Sequence, residues 1–214
     1  MPSWKDHIPS IGTLGPFLAL LLACGFFSFQ SEQFLTGANF SLILQQIMVV
    51  GLIAIGQTLI ILTAGIDLSC GMVMALGGVV MTKVANDYGL HPILAISIGL
   101  AITAGFGLLN GLLVTRIKLP PFIVTLGTMN IAFAITQLYS GSQTITDLPA
   151  AMTFFGNTFA LGQTQVAYGT VLMLACYALS WIWLRETAQG RHIYAVGNNP
   201  EATRLTGIAT HRVI

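Results

Sequence analysis

The chain has 214 residues, of which 55% are apolar and only 7% are Asp, Glu, Lys or Arg, against about 25% charged in a typical soluble domain. Eight basic and seven acidic side chains cannot cover a soluble domain of this length with a polar shell, which excludes an ordinary soluble globular protein. A net charge of +1 without a basic run argues against nucleic acid, and His7, His91, His192 and His211 lack metal-ligand spacing, so neither a metal nor another cofactor is expected.

Residues 33–66, 88–115, 119–146 and 148–184 carry none of the four charged types, and each stretch exceeds the roughly 20 residues that span a bilayer core. The expected fold is all-α, a polytopic bundle of transmembrane helices in one domain, with about six spans. Lys5 precedes the first apolar run, over 11–29, which reads as a retained helix because no small-x-small cleavage pattern stands out. The second span covers 42–64 and the third 68–85. The third is short and follows Gly65-Ile66-Asp67 directly, so 42–85 reads either as two helices joined by a tight turn or as a broken helix with a re-entrant element. Spans at 92–114, 121–139 and 165–184 complete the set. Cys24, Cys70 and Cys176 each stand alone in apolar sequence and read as small buried hydrophobes.

The loops of this arrangement place Lys5, Arg116, Lys118, Arg185, Arg191, Arg204 and Arg212 on one side and Lys83 alone on the other. The cation-rich side is cytoplasmic by the positive-inside rule. The N-terminus, the 115–120 loop and everything after 185 are then inside, and 30–41, 86–91 and 140–163 are outside.

Asp67 is the most informative ionisable group, since a charge at or near membrane depth is paired, solvated or functional. In GIDLS, Asp67 or Ser69 can cap the third helix while Gly65 permits a sharp turn. The rival readings are a gate hinge and a proton carrier. Neutral polar residues recur in the spans: Gln45, Gln46 and Gln57 in the second, Asn110 in the fourth, and Thr125, Thr128, Asn130 and Gln137 in the fifth. They suit either helix-to-helix hydrogen bonds or a pathway for a polyhydroxylated solute, with Gln57, Asn110 and Asn130 the pathway candidates. Gly107-x-x-x-Gly111 reads as a close helix contact. No glycine-rich phosphate loop followed by Lys and no catalytic constellation occurs, so the chain reads as no enzyme.

After the sixth span, 190–208 is polar and specifies a two-turn helix. Asn199 is the N-cap, Pro200 fits the first helical position, Glu201 and Arg204 match the two ends of the helix dipole, and Gly207 terminates it. Leu205 and Ile208 offer an apolar contact. The spacing fits a docking element for another protein and equally an interfacial helix that only connects two spans.

Four stretches carry a resemblance: LILQQI at 42–47, ILTAGIDLSCGMVMALGGVVM at 61–81, RIKLPPFIVTLGTMNIA at 116–132 and GRHIYAVGNNPEATRLTGI at 190–208. In this order they resemble the permease subunits of bacterial ABC monosaccharide importers of the ribose, xylose and fructose group. The resemblance implies a multi-pass protein of the bacterial inner membrane that forms a sugar translocation pathway. It implies three partners: an ABC ATPase subunit, an extracytoplasmic sugar-binding protein, and a second permease subunit, as a homodimer. It makes 190–208 the coupling segment, with Asn199, Pro200, Glu201, Arg204 and Gly207 engaging the ATPase, and gives Gly65, Asp67 and Ser69 a turn or gating role. Family members continue beyond this segment with further helices, so the chain is expected to be an N-terminal portion. The alternative function is a proton-coupled secondary transporter using Asp67.

Overall fold

A computed structural model describes residues 11–146, 148–162, 164–210 and 213; Lys5 and Arg212 of the charge pattern lie outside them. In chain order the elements are α1 (Ile11–Gln30), α2 (Gly37–Leu62), α3 (Cys70–Asp87), α4 (Pro92–Thr115), α5 (Pro121–Ser140), α6 (Ala150–Thr153), β1 (Thr158–Leu161), β2 (Thr164–Ala167), α7 (Tyr168–Glu186), α8 (Ala188–Asn198) and α9 (Pro200–Leu205). Proline occupies the first position of α4, α5 and α9, where its fixed φ suits a helix and its missing N–H costs nothing. Thr36 caps α2 by accepting the Asn39 N–H. Gly141, at φ 64, closes α5.

Three helices, α2, α4 and α5, are long and apolar enough to cross a membrane by length and composition. Among the described residues α1 adds an apolar helix over Leu14–Gln30; α3 carries the Lys83–Asp87 ion pair in its last turns; α7 ends in Arg185-Glu186.

The sixth segment also begins differently from the sequence expectation. Residues 164–167 pair with 158–161 in an antiparallel hairpin, Thr158 opposite Ala167 and Leu161 opposite Thr164. Their backbone groups are satisfied across the ladder rather than along a helix, so α7 starts only at Tyr168, whose N–H donates to the Asn157 carbonyl.

The helices pack in two groups. In the first, α3 lies between α4 and α5. Val73, Leu76 and Val80 are buried with Ala132, and Met72, Ile102, Phe106 and Tyr139 pack around them. This explains why the least apolar span belongs here: α3 faces protein on much of its surface and needs less lipid-compatible surface of its own. Helices α3 and α4 touch backbone to backbone at Gly77 and Gly99, where a Cβ on Gly99 would stand 2.8 Å from the Gly77 carbonyl oxygen. The close contact expected at Gly107 and Gly111 is not there; both face open space along a cavity.

In the second group α2 and α7 run parallel, with Met48 against Gly169 and Met173 against Gly51. The hairpin covers the N-terminal end of α2, where the Ser41 hydroxyl donates to the Gln165 carbonyl. At the other end α8 lies against the C-terminal ends of α2 and α7. The two groups meet mainly at the 63–69 connection and, at the far end, where α6 touches α4. Arg116, Lys118, Arg185, Arg191 and Arg204 fall at the α8 end and Lys83 at the opposite one. This cation-rich end is the one that the positive-inside rule assigns to the cytoplasm.

Candidate functional site

The cytoplasmic end of α2 closes in a Schellman turn. The Gly65 N–H donates to the Ile60 carbonyl and the Ala64 N–H to the Ile61 carbonyl, both at 2.9 Å. The left-handed residue in this turn is Ala64, at φ 59, and Gly65 does not have a positive φ. Gly65 answers a different need. A Cβ there would stand 2.9 Å from Ile60 Cγ2 and 3.1 Å from the Ile60 carbonyl oxygen. The sharp turn expected at Gly65 thus belongs to its neighbour, and the glycine serves close approach.

The next four residues form a polar knot. Asp67 Oδ1 accepts from the Ser69 N–H at 2.7 Å and from the Ser69 hydroxyl at 2.6 Å, an Asx turn that leads into α3. Ser69 occupies the N-cap position without a capping bond of its own. Its hydroxyl instead accepts from Asn110 Nδ2 of α4 at 2.9 Å. Gln57 Nε2 of α2 donates to the Asp67 carbonyl, and Thr125 of α5 reaches the Ile66 carbonyl at 3.5 Å. Each neighbouring helix therefore contributes one side chain to the turn.

Asn110 lies six residues before Arg116, about 9 Å along a helix, and Thr125 lies four residues after Pro121, about 6 Å. The connection therefore sits one to two turns inside the ends of α4 and α5, and it contains no helix of its own. Of the two sequence readings it is the turn between two helices. A cavity of about 210 Å³ opens beside it, lined by Ile60, Thr63, Asp67, Asn110, Gly111 and Thr125 among others.

Gln57 and Asn110 meet at this turn, where each donates one hydrogen bond. Asn130 does not join them. It is exposed, on another face of α5, and donates only to the Leu126 carbonyl of its own helix at 2.7 Å. Thr125 and Thr128 are buried and bond back to carbonyls of α5.

The segment after α7 holds more helix than the sequence indicated. Gly190 and Gly197 both lie within α8. They are glycines because of what they touch. A Cβ on Gly190 would collide with the Leu184 carbonyl and one on Gly197 with the Leu62 carbonyl. In α9, Asn199 caps by accepting the Ala202 N–H at 3.0 Å, and Gly207 follows at φ 88. The Thr203 hydroxyl donates to the Ala195 carbonyl at 2.8 Å and ties α9 to α8. Pro200, Glu201 and Arg204 are exposed, with Arg204 paired to Glu201 at 3.1 Å, and Leu205 is 80% exposed. The signal for α8 was available in Ile193 and Val196, three residues apart and both buried.

This arrangement defines a helical protein with spans long and apolar enough for a membrane, an irregular joint between α2 and α3, and a short helix presented beyond α8. The chain belongs to the family described as the branched-chain amino acid transport system permease component, whose pattern matches residues 39–214. Among curated relatives it is 42% identical to the fructose import permease protein FrcC of Rhizobium meliloti, over 93% of this chain and 57% of that protein. It is 38% identical to the ribose import permease protein RbsC of Bacillus subtilis, over 94% and 62% respectively. It is 36% identical to the galactose/methyl galactoside import permease protein MglC of Escherichia coli, over 95% and 65%. The chain thus spans about three fifths of the length of these relatives. No solved structure matches it.

Proposed function

We propose that the chain is part of a membrane-spanning subunit of an ATP-driven monosaccharide importer in the bacterial inner membrane, and that α8 and α9 dock its ATPase. The observation that carries this reading is the state of α9. It stands at the cationic end, capped at its start and stopped at its end, with Leu205 80% exposed. A helix of 6 residues is marginal in water, and one that is tied to a buried neighbour yet leaves its largest apolar side chain open fits a partner. The ABC ATPase supplies the hydrolysis, an extracytoplasmic sugar-binding protein delivers substrate at the hairpin end, and a second copy of the permease completes the pathway. Sugar as the cargo class rests on the relatives' names, while the family description refers to branched-chain amino acids.

Gln57, Asn110 and Asn130 stay the pathway candidates: Asn110 lines the cavity beside the turn, and Asn130 is exposed on α5. Asp67 is engaged by both donors of Ser69, which supports a structural place in the turn over proton carriage. Replacing Glu201 and Arg204 together is expected to abolish co-purification of the ATPase while membrane insertion stays intact. Unchanged association would overturn the docking assignment. Uptake that persists without ATP and collapses with the proton gradient would favour the secondary-transporter alternative.

A further inference from the structure

The glycines where α3, α4 and α5 pack are of two kinds. Gly77 and Gly99 are required by a contact between backbones. Gly107 and Gly111 of α4 are not, because a Cβ on either meets nothing within 4 Å. They lie one turn apart on the same face of the helix, and both line the cavity of about 210 Å³ beside the turn between α2 and α3. Glycine weakens a helix relative to alanine, and no packing contact within the chain accounts for that weakness here. What these two glycines provide is depth in the cavity.

The other walls define what suits that depth. Ile60, Ile66, Val114 and Pro121 make an apolar side. The polar groups are mostly acceptors. The hydroxyls of Thr63, Thr115 and Thr125 donate their single protons to the carbonyls of Ile60, Gly111 and Pro121 at 2.9, 2.7 and 2.8 Å, which leaves each with lone pairs to offer a ligand. Asp67 engages Ser69 through Oδ1, and its Oδ2 has no partner among the described residues. Asn110 also lines the cavity, and its amide donates to Ser69. Acceptors beside an apolar wall call for a ligand that brings hydroxyl donors and C–H faces together. A sugar ring has both. The volume equals that of about seven waters at about 30 Å³ each, the scale of one such ring.

We propose that this cavity is a subsite for a single monosaccharide, and that Gly107 and Gly111 set the size of the sugar it admits. The inference rests on the importer reading above and adds a place and a size limit for the sugar. Gly111→Leu fills the cavity, and Gly111→Ala makes it shallower by one carbon while placing a better helix former in open space. Saturation-transfer NMR on the full-length permease with its ATPase, with D-ribose, D-fructose and D-galactose in turn as the probe, reads contact between sugar and protein without the binding protein. Melting temperatures, and ATP-dependent uptake of the three sugars by the unaltered complex with its binding protein in proteoliposomes, are measured alongside. The expected result is transfer to the unaltered complex and a loss of at least about tenfold in Gly111→Leu, the lower end of what one carbon is worth in a close-fitting site. In Gly111→Ala the loss is expected to be several times greater for fructose and galactose than for ribose, with the melting temperature unchanged or raised. Undiminished transfer in Gly111→Leu overturns the proposal, as does absence of transfer to an unaltered complex that takes up sugar. Equal loss of the three sugars in Gly111→Ala, or a melting temperature that falls in step with the loss, makes the glycines structural and overturns it too. Absence of ATP-dependent uptake of all three sugars by the unaltered complex would instead overturn the importer reading on which the proposal stands.

Discussion

Gly197 of α8 lies against the carbonyl of Leu62 at the end of α2, so closely that a single Cβ has no room. Val196 beside it is fully buried. The segment after α7 is thus keyed into the end of α2 at a backbone contact, and that contact immediately precedes the Schellman turn.

Gly197→Ala should therefore lift α8 from α2 at a cost of about 1–3 kcal/mol, the usual range for overpacking a tight contact. Hydrogen exchange over 188–198 is expected to accelerate, with little change in α4. Unaltered exchange in α8 would contradict the keyed contact.

Adjacent substitutions in the Schellman turn should have opposite signs. Ala64→Gly relieves a left-handed alanine, and after the extra chain entropy of glycine a gain of up to about 1 kcal/mol remains. Gly65→Ala brings a Cβ onto the Ile60 carbonyl and should destabilise. Melting temperatures in detergent measure both, and a common sign would be inconsistent with the turn described.

Glycines of α4 should separate in the same way. Gly107→Ala enters open space and should gain up to about 1 kcal/mol from helix propensity. Gly99→Ala meets the Gly77 carbonyl and Met81, and it should lose about 1–3 kcal/mol by overpacking. Thermal unfolding of the two variants side by side decides the point.

In α9, Asn199→Ala removes the cap bond to Ala202 at a cost of about 1 kcal/mol of local stability. Leu205→Ser, at an 80% exposed position, should leave the fold unchanged. Both are expected to weaken ATPase association, the first by fraying the helix and the second by removing contact surface. Retention of the ATPase by Leu205→Ser at the level of the unaltered chain would count against α9 as the docking element.

Much of the architecture was legible because membrane helices announce themselves locally. Charge-free runs, proline at helix starts, and the Asn199 to Gly207 pattern each depend on residues a few positions apart. The hairpin at 158–167 was hidden inside an apolar run, since composition does not distinguish a strand paired across a ladder from the start of a span. Helix α8 was not read from the sequence, since what buries Ile193 and Val196 is packing against neighbouring helices. Gly107 and Gly111 failed as a packing signal for the converse reason: small residues permit a close approach without requiring one. At the site, Asp67 and Ser69 were legible together in GIDLS, while Gln57 and Asn110 were visible only as polar groups in apolar sequence and nothing in their spacing joined them to that turn.

By itself the sequence determined that the chain lives in lipid, which end carries the cations, and where a short capped helix follows the sixth apolar segment, because these depend on composition and on neighbours along the chain. The tertiary structure alone decided that Gln57 and Asn110 close on one turn, that Asn130 stays apart from them, and that Gly197 meets Leu62. These contacts join residues 10 to 135 positions apart, and only the packing of whole helices fixes which of their faces meet.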